Sequence, residues 1–211
     1  VTDSGVLYDR ADSDTQTSIS LLMRAKARDD GAWYQLVQLF SPLVYHWCRQ
    51  WGLNSHDSEN VAQDVFAVVA TKIKDFEKRP HTGAFRGWLK QITRNKLIDF
   101  TRAAQGHPRA IGGSNGYALA ATTAVVDDDD SVSREIQFLY ERAVTIIRGR
   151  FSERDWQAFY EFVVNGRPSK DIAAELDMSV NSVYLAKSRI LSVLRSEFAG
   201  LIEGFDSENS G

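Results

Sequence analysis

The amino-acid sequence predicts an all-α protein: two small helical domains joined by a flexible linker, the second containing a helix-turn-helix. Three observations carry this. Apolar residues recur at spacings of three and four along most of the chain, with no convincing run of strand alternation and no internal repeat. Residues 105–133 break that periodicity with Gly106, Pro108, Gly112, Gly113 and Gly116, then the like-charge run Asp127 to Asp130. Beyond Pro168, two short apolar patterns are separated by about three residues, the spacing of a tight helical corner.

Residues 1–18, with Asp3, Asp9, Asp12 and Asp14 among small polar residues, read as a disordered leader. A helical domain is expected over 19–104. It begins near Ile19, with Ser18 or Ser20 able to cap free backbone amides. Trp33, Leu36, Val37, Phe40, Val44, Trp47, Cys48 and Trp51 then build one helical face, which Pro42 divides or bends. Gly52 and Asn54 to Asp57 read as a turn. The next helix, about Ser58 to Lys74, has Val61, Val65, Phe66, Val69 and Ile73 as its stripe. Lys78 to Gly83 reads as a loop, and a helix from near Ala84 carries Phe85, Trp88, Leu89 and Ile92. After the linker, periodicity resumes at Ile136, Leu139, Tyr140, Ala143 and Ile147, and then at Trp156, Phe159, Tyr160 and Val163. This gives a second domain over 134–198 and an acidic tail over 199–211.

Composition narrows the function classes. The apolar share is 43% and the charged share 25%, with 14 Gly and 4 Pro among 211 residues, which excludes a collagen-like or wholly disordered chain. A net charge of -3 argues against a protein that coats DNA without specificity, but permits a local basic patch. The single Cys48 excludes an intramolecular disulfide framework and an all-cysteine metal cluster. No segment has the ~20 apolar residues that span a bilayer, so no membrane insertion is expected. The first residues do not resemble a signal peptide, which makes the cytoplasm the default compartment.

The sharpest local pattern is Ser169 to Leu176, then Asp177-Met178-Ser179, then Val180 onward. Ser169 is expected to cap the first helix and Ser179 the second. Asp177 suits a turn, and Val180, Val183, Ile190 and Leu194 supply the buried stripe of the second helix. Its other face would show Asn181, Ser182, Tyr184, Lys187, Ser188 and Arg189. These side chains can hydrogen-bond base edges or neutralise phosphates in a major groove. The alternative is an ordinary helical corner with a solvated face.

A second surface lies in the first domain. Lys78, Arg79, His81, Arg86 and Lys90 flank Phe85 and Trp88, and Arg94, Asn95, Lys96 and Arg102 continue the most basic stretch of the chain. Cations beside aromatics can hold a single strand by stacking and charge neutralisation. The spacing of Phe85 and Trp88 equally fits core packing.

With these residues in place, positions 19–198 resemble a bacterial RNA polymerase sigma factor of the sigma-70 superfamily, extracytoplasmic-function (ECF) class. Glu59 to Phe66 is similar to the family's acidic helix pattern, with Asp64 where Glu is common. Phe85-Arg86-Gly87-Trp88-Leu89 with Ile92, Arg94 and Asn95 resembles its most recognisable stretch, and Ile172 to Arg195 its C-terminal promoter-binding motif. The resemblance implies a region 2-like domain over 19–104 and a region 4-like domain over 134–198. In that scheme Glu59, Asp64, Phe66 and Lys72 bind the polymerase clamp. Lys78, Arg79, His81, Phe85, Arg86, Trp88, Lys90, Arg94, Asn95 and Lys96 serve the -10 element. Ser179, Asn181, Ser182, Tyr184, Lys187, Ser188 and Arg189 read the -35 element near the polymerase flap. Partners would be core RNA polymerase, promoter DNA and an anti-sigma protein of the kind common in the family. Tyr184 and Ala186 depart from the family's basic positions, and Lys187 from an apolar one.

An enzyme is disfavoured. There is no HExxH, phosphate-binding loop or nucleophile elbow. His46 and Cys48, two residues apart, do not share a helical face, and Asp64 and Asp99 lack a neighbouring base. No catalytic residue, metal or cofactor is expected. The stronger rival is a stand-alone helix-turn-helix regulator binding duplex operators as a dimer, which predicts palindromic half-sites.

Overall fold

A computed structural model of the chain describes residues 20–77, 85–104 and 129–203. All regular structure among them is helical: α1 (Leu21–Lys26), α2 (Asp30–Gln50), α3 (Ser55–Lys72), α4 (Phe85–Ala104), α5 (Asp129–Ile147), α6 (Glu153–Val163), α7 (Ser169–Glu175) and α8 (Val180–Phe198), with single 3-10 turns after α3 and α5. The expected leader, the loop with Lys78, Arg79 and His81, residues 105–128 of the linker and 204–211 of the tail lie outside the described residues.

Local chemistry explains where the helices start and stop. The Ser20 side chain caps α1 by accepting from the Met23 amide. The chain then breaks at Arg28, whose φ of 63° is left-handed, and the Asp29 carboxylate caps α2 by accepting from the Ala32 amide at 2.7 Å. Pro42 lies inside α2, which runs through it. Proline cannot donate to the carbonyl four residues earlier. That carbonyl, Gln38, instead accepts from Arg142 of α5 at 3.1 Å (Nε) and 2.6 Å (Nη2). Asn54 caps α3, accepting from the Asp57 amide at 2.9 Å.

The sequence expectations need four local corrections. Helix α5 starts at Asp129, five residues before the expected domain boundary, so the end of the aspartate run forms a helical first turn, where negative charge suits the dipole. Pro168, not Ser169, is the N-cap of α7, and the Ser169 hydroxyl bonds the Tyr184 hydroxyl at 3.2 Å. Val180 is 36% exposed rather than buried, because it opens the first turn of α8 beyond the reach of the core. The chain after Phe198 is not simply a solvated acidic tail: Leu201 and Ile202 are fully buried. Gly200 makes that return with a φ of +77°, and a Cβ there would lie 3.2 Å from Leu22 Cδ2.

The main core unites both helical groups. Leu36, Phe40, Trp47, Val65, Phe85 and Leu89 from α2 to α4 belong to the same buried cluster as Leu139, Ile147, Ile190, Leu194 and Phe198. A separate small cluster of Ala158, Ile172, Ala173, Val183 and Ala186 holds α6, α7 and α8 together. No helix among the described residues is long and apolar enough to cross a membrane.

Candidate nucleic-acid interface

Helix α4 divides its side chains between core, seam and solvent. Phe85 is fully buried, with ring centroids 5.1 Å from Phe40, 5.3 Å from Phe76 and 5.2 Å from Trp88. It offers no face to a base in this arrangement. Trp88 is half-buried, 5.0 Å from Phe76, and keeps part of its ring accessible.

Arg86 and Lys90 point across the seam to α5. Arg86 Nη1 meets Glu135 Oε2 at 2.5 Å and its Nε donates to Glu203 Oε1 at 3.1 Å. Lys90 Nζ lies 3.0 Å from Glu135 Oε1 and 5.3 Å from the centre of the Trp47 ring. Trp47 Nε1 donates to the same Glu135 oxygen at 2.6 Å. Glu135 is buried, and these hydrogen bonds offset the loss of its hydration. Glu203 is less well served: its Oε2 is buried without a partner among the described residues, which costs on the order of 1–3 kcal/mol. Beyond the seam, Arg94 and Lys96 are half-buried, and Asn95 is exposed and accepts from Gln91 at 3.0 Å.

The second surface is the corner between α7 and α8. Asp177 takes the left-handed conformation there, with φ 49°. The Ser179 hydroxyl caps α8 by accepting from the Ser182 amide at 3.0 Å, and the two hydroxyls lie 2.8 Å apart, so both serine side chains serve the cap. Asn181, Ser188 and Arg189 are exposed. Tyr184 is 48% exposed and stands edge-on to Phe162 at 5.4 Å. Lys187 is half-buried, with Nζ 5.2 Å from the Phe162 ring centre, so its stem packs on the corner while its charge stays near the surface. The turn before α7 is pinned by Arg167, which pairs with Glu161 at 3.3 Å and Glu175 at 2.5 Å. A hydrogen bond from the Asn165 side chain, aided by Arg167, holds the Glu161 carboxyl below its usual range. The Glu175 and Glu161 carboxylates raise Arg167 in turn.

On α3, Glu59, Asp64 and Lys72 are exposed, whereas Phe66 is 8% exposed and stands edge-on to Trp33 at 6.4 Å. His46 is exposed and Cys48 fully buried. Burial pushes the Cys48 thiol up to about 11. Alkylation by iodoacetamide at pH 8, followed by mass spectrometry, should therefore be at least ~100-fold slower in the folded protein than after denaturation. Among the described residues, no group of three or more His, Cys, Asp or Glu is placed to hold a metal ion.

The residues that sequence reading missed are Glu135 and Glu197. Both sit on apolar stripes: Glu135 precedes Leu139, Ala143 and Ile147 at steps of four, and Glu197 follows Ile190 and Leu194. A carboxylate in a buried stripe is the available signal, because burying one requires a partner. For Glu197 the partners are Arg24 and, at 3.1 Å, Arg150.

Part of this chain matches a known family. Residues 36–107, which span most of α2 and all of α3 and α4, match the family model Sigma-70 region 2. The RNA polymerase sigma factor CnrH of Cupriavidus metallidurans is 26% identical over 165 residues, covering 77% of this chain and 84% of that protein. The ECF RNA polymerase sigma factor RpoE of Cereibacter sphaeroides is 34% identical over 93 residues, 43% of this chain and 50% of the relative. The chain thus carries a sigma-70 region 2 over those residues and is similar to ECF-class sigma factors.

Coverage of the relatives is uneven, since the match to the ECF sigma factor SigE of Mycolicibacterium smegmatis spans only 26% of that protein. A solved structure of CnrH in complex with the cytosolic domain of CnrY aligns with 82% of this chain and 92% of the CnrH chain, at 22% identity and a TM-score of 0.35. The region 2 match includes Arg86 and Lys90, whose charges meet Glu135 across the seam, and Arg94, Asn95 and Lys96 farther along α4.

Proposed function

We propose that this chain is an ECF-class sigma-70 family member that binds core RNA polymerase, recognises -35 and -10 promoter elements and promotes DNA opening without covalent chemistry of its own. The observation that carries the reading is the combination, in one chain, of a region 2 match over residues 36–107 with a capped tight corner at α7–α8 that exposes Asn181, Ser188 and Arg189. In this reading residues 19–104 and 134–198 are the two working domains. Helix α3 meets the polymerase clamp, the loop 78–83 and α4 handle the opened -10 strand, and α8 enters the -35 major groove near the flap. The protein acts in the cytoplasm. An anti-sigma protein is a further partner class that fits the family.

The energetics are those of exchange. Each unpaired and unstacked step costs on the order of a few kcal/mol, and capture of an exposed base or its backbone offsets part of that. Each correctly read base contributes roughly 1–3 kcal/mol of discrimination. A net charge of -3 is compatible with this, because cations need only gather locally on α4 and α8 while the acids of α3 face a protein.

Asp64 provides the first test. It is exposed, so Asp64→Lys should leave the melting temperature within about 2 °C of wild type, as surface changes usually do. Titration of labelled protein with bacterial core polymerase should show affinity at least ~10-fold weaker. Undiminished affinity would remove α3 from the interface. Phe66→Ala is unsuitable for the purpose, since truncating this buried ring costs about 3–5 kcal/mol of stability.

A further inference from the structure

We infer that the cleft between α2 and α5 is a binding site for a small amphipathic anion: one carboxylate carried on an apolar body of about ten carbons. The inference goes beyond the function proposed above and does not depend on it.

The cleft has a volume of about 550 Å³. Small-molecule sites run from ~300 to ~1,000 Å³ and pair a largely apolar lining with a few polar groups that fix orientation. This cleft has both parts. Its inner lining is apolar, with Leu43 buried and Pro42 and Phe138 half-buried. Its outer lining is basic. Arg49 of α2 and Arg134 of α5 are exposed, and so is His46, one helical turn before Arg49 on the same face.

The two arginines keep charge to spare. Arg49 Nη1 donates to the Leu53 carbonyl at 2.7 Å, and Arg134 Nε donates to the Asp130 carbonyl at 3.1 Å. Both acceptors are neutral, and neither guanidinium is in an ion pair among the described residues. Each guanidinium has five N–H groups, so most of its donors stay available. Glu135 is the acid of the lining, and its charge is already met by Arg86 and Lys90, with Trp47 Nε1 donating to it as well. Uncompensated positive charge therefore stands over an apolar floor.

That combination selects the ligand. An arginine fork holds a carboxylate through paired, charge-assisted hydrogen bonds. A neutral apolar molecule would leave the cations unused, and an inorganic anion would leave the floor wet. A nucleic-acid strand would also leave the floor unfilled, and the exposed Asp130, one turn before Arg134, repels a polyanion more than a single carboxylate. A carboxylate on an aromatic or aliphatic body uses both parts of the site at once.

Isothermal titration calorimetry of the full chain with 2-naphthoate, and with the neutral 2-naphthamide as its match in shape, tests the site. The wild type should bind 2-naphthoate one-to-one with a Kd of about 100 µM or tighter, and the amide at least ~10-fold more weakly. His46→Gln/Arg134→Gln changes two exposed residues, so the melting temperature should stay within about 2 °C of wild type while affinity for the acid falls at least ~10-fold. Gln50→Trp fills the mouth of the cleft, keeps every charge, and should also abolish binding. No binding by the wild type, or equal binding of acid and amide, would overturn the inference. So would a Gln50→Trp chain that binds like wild type, because the ligand would then sit elsewhere. Displacement of 2-naphthoate by an equal or lower concentration of a short single-stranded oligonucleotide would assign the cleft to nucleic acid and overturn it as well. The readout uses neither polymerase nor promoter DNA, so failure here leaves the proposed function standing.

Discussion

Replacing Phe85 with alanine should destabilise the protein by about 3–5 kcal/mol, seen in urea unfolding as a lower midpoint with little change in slope. The ring is fully buried and contacts Phe40, Phe76 and Trp88 with centroid separations of 5.1 to 5.3 Å, so truncation opens a cavity where three aromatics meet. A shift of that size corresponds to roughly 10 °C in melting temperature for a chain of this length. Phe85→Leu should recover most of it. Trp88→Ala, which removes a half-buried ring, should cost less. A Phe85→Ala protein of native stability that failed only in DNA opening would instead make Phe85 a base-stacking residue.

The second large effect is expected from Arg94→Glu combined with Lys96→Glu. Both residues are half-buried on α4, outside the Glu135 cluster, and reversing them places two negative charges where a displaced strand would run. At roughly 1 kcal/mol or more for each lost contact, plus repulsion, promoter opening should fall by about 30-fold or more. It can be followed by permanganate reactivity of unpaired thymines. Association with core polymerase should stay within about 3-fold of wild type. Equal losses in both measurements would remove these two residues from the DNA-facing surface.

The helical class was legible because the 3.6-residue period repeats through every long element. The apolar residues that define α2, α3 and α5 in the sequence are largely the ones the structure buries, whereas on α6 Trp156 and Phe159 are buried but Tyr160 and Val163 are exposed. Caps were legible where a serine precedes a periodic run, as at Ser20 and Ser179, and so was a turn at Asp177, though not its left-handed conformation. Legibility failed where a decision depends on distant residues. Periodicity gives an apolar face but not its partner, so the common core of the two helical groups was not foreseen. Nor was the return of Leu201 and Ile202 into it, because two apolar residues are too few to set a period.

Charged residues failed for a related reason. Arg86 and Lys90 stand out in the sequence as part of a basic stretch, and whether such cations meet DNA or a carboxylate 45 to 49 residues away is a tertiary question. The break at Arg28 carries no glycine to announce it, although Asp29 is a good cap in retrospect. Pro42 was readable as a disturbance of α2. That the carbonyl it leaves open would receive Arg142 from α5 was not.

Reconstitution decides whether this chain directs polymerase to promoters, as proposed. The purified protein would be combined with bacterial core polymerase on a library of randomised promoter DNA, and transcript 5′ ends sequenced. The expected result is a one-to-one complex whose transcripts begin at discrete positions downstream of two unlike sequence elements. A chain that ignores core polymerase and instead selects palindromic duplex sites as a dimer would contradict it.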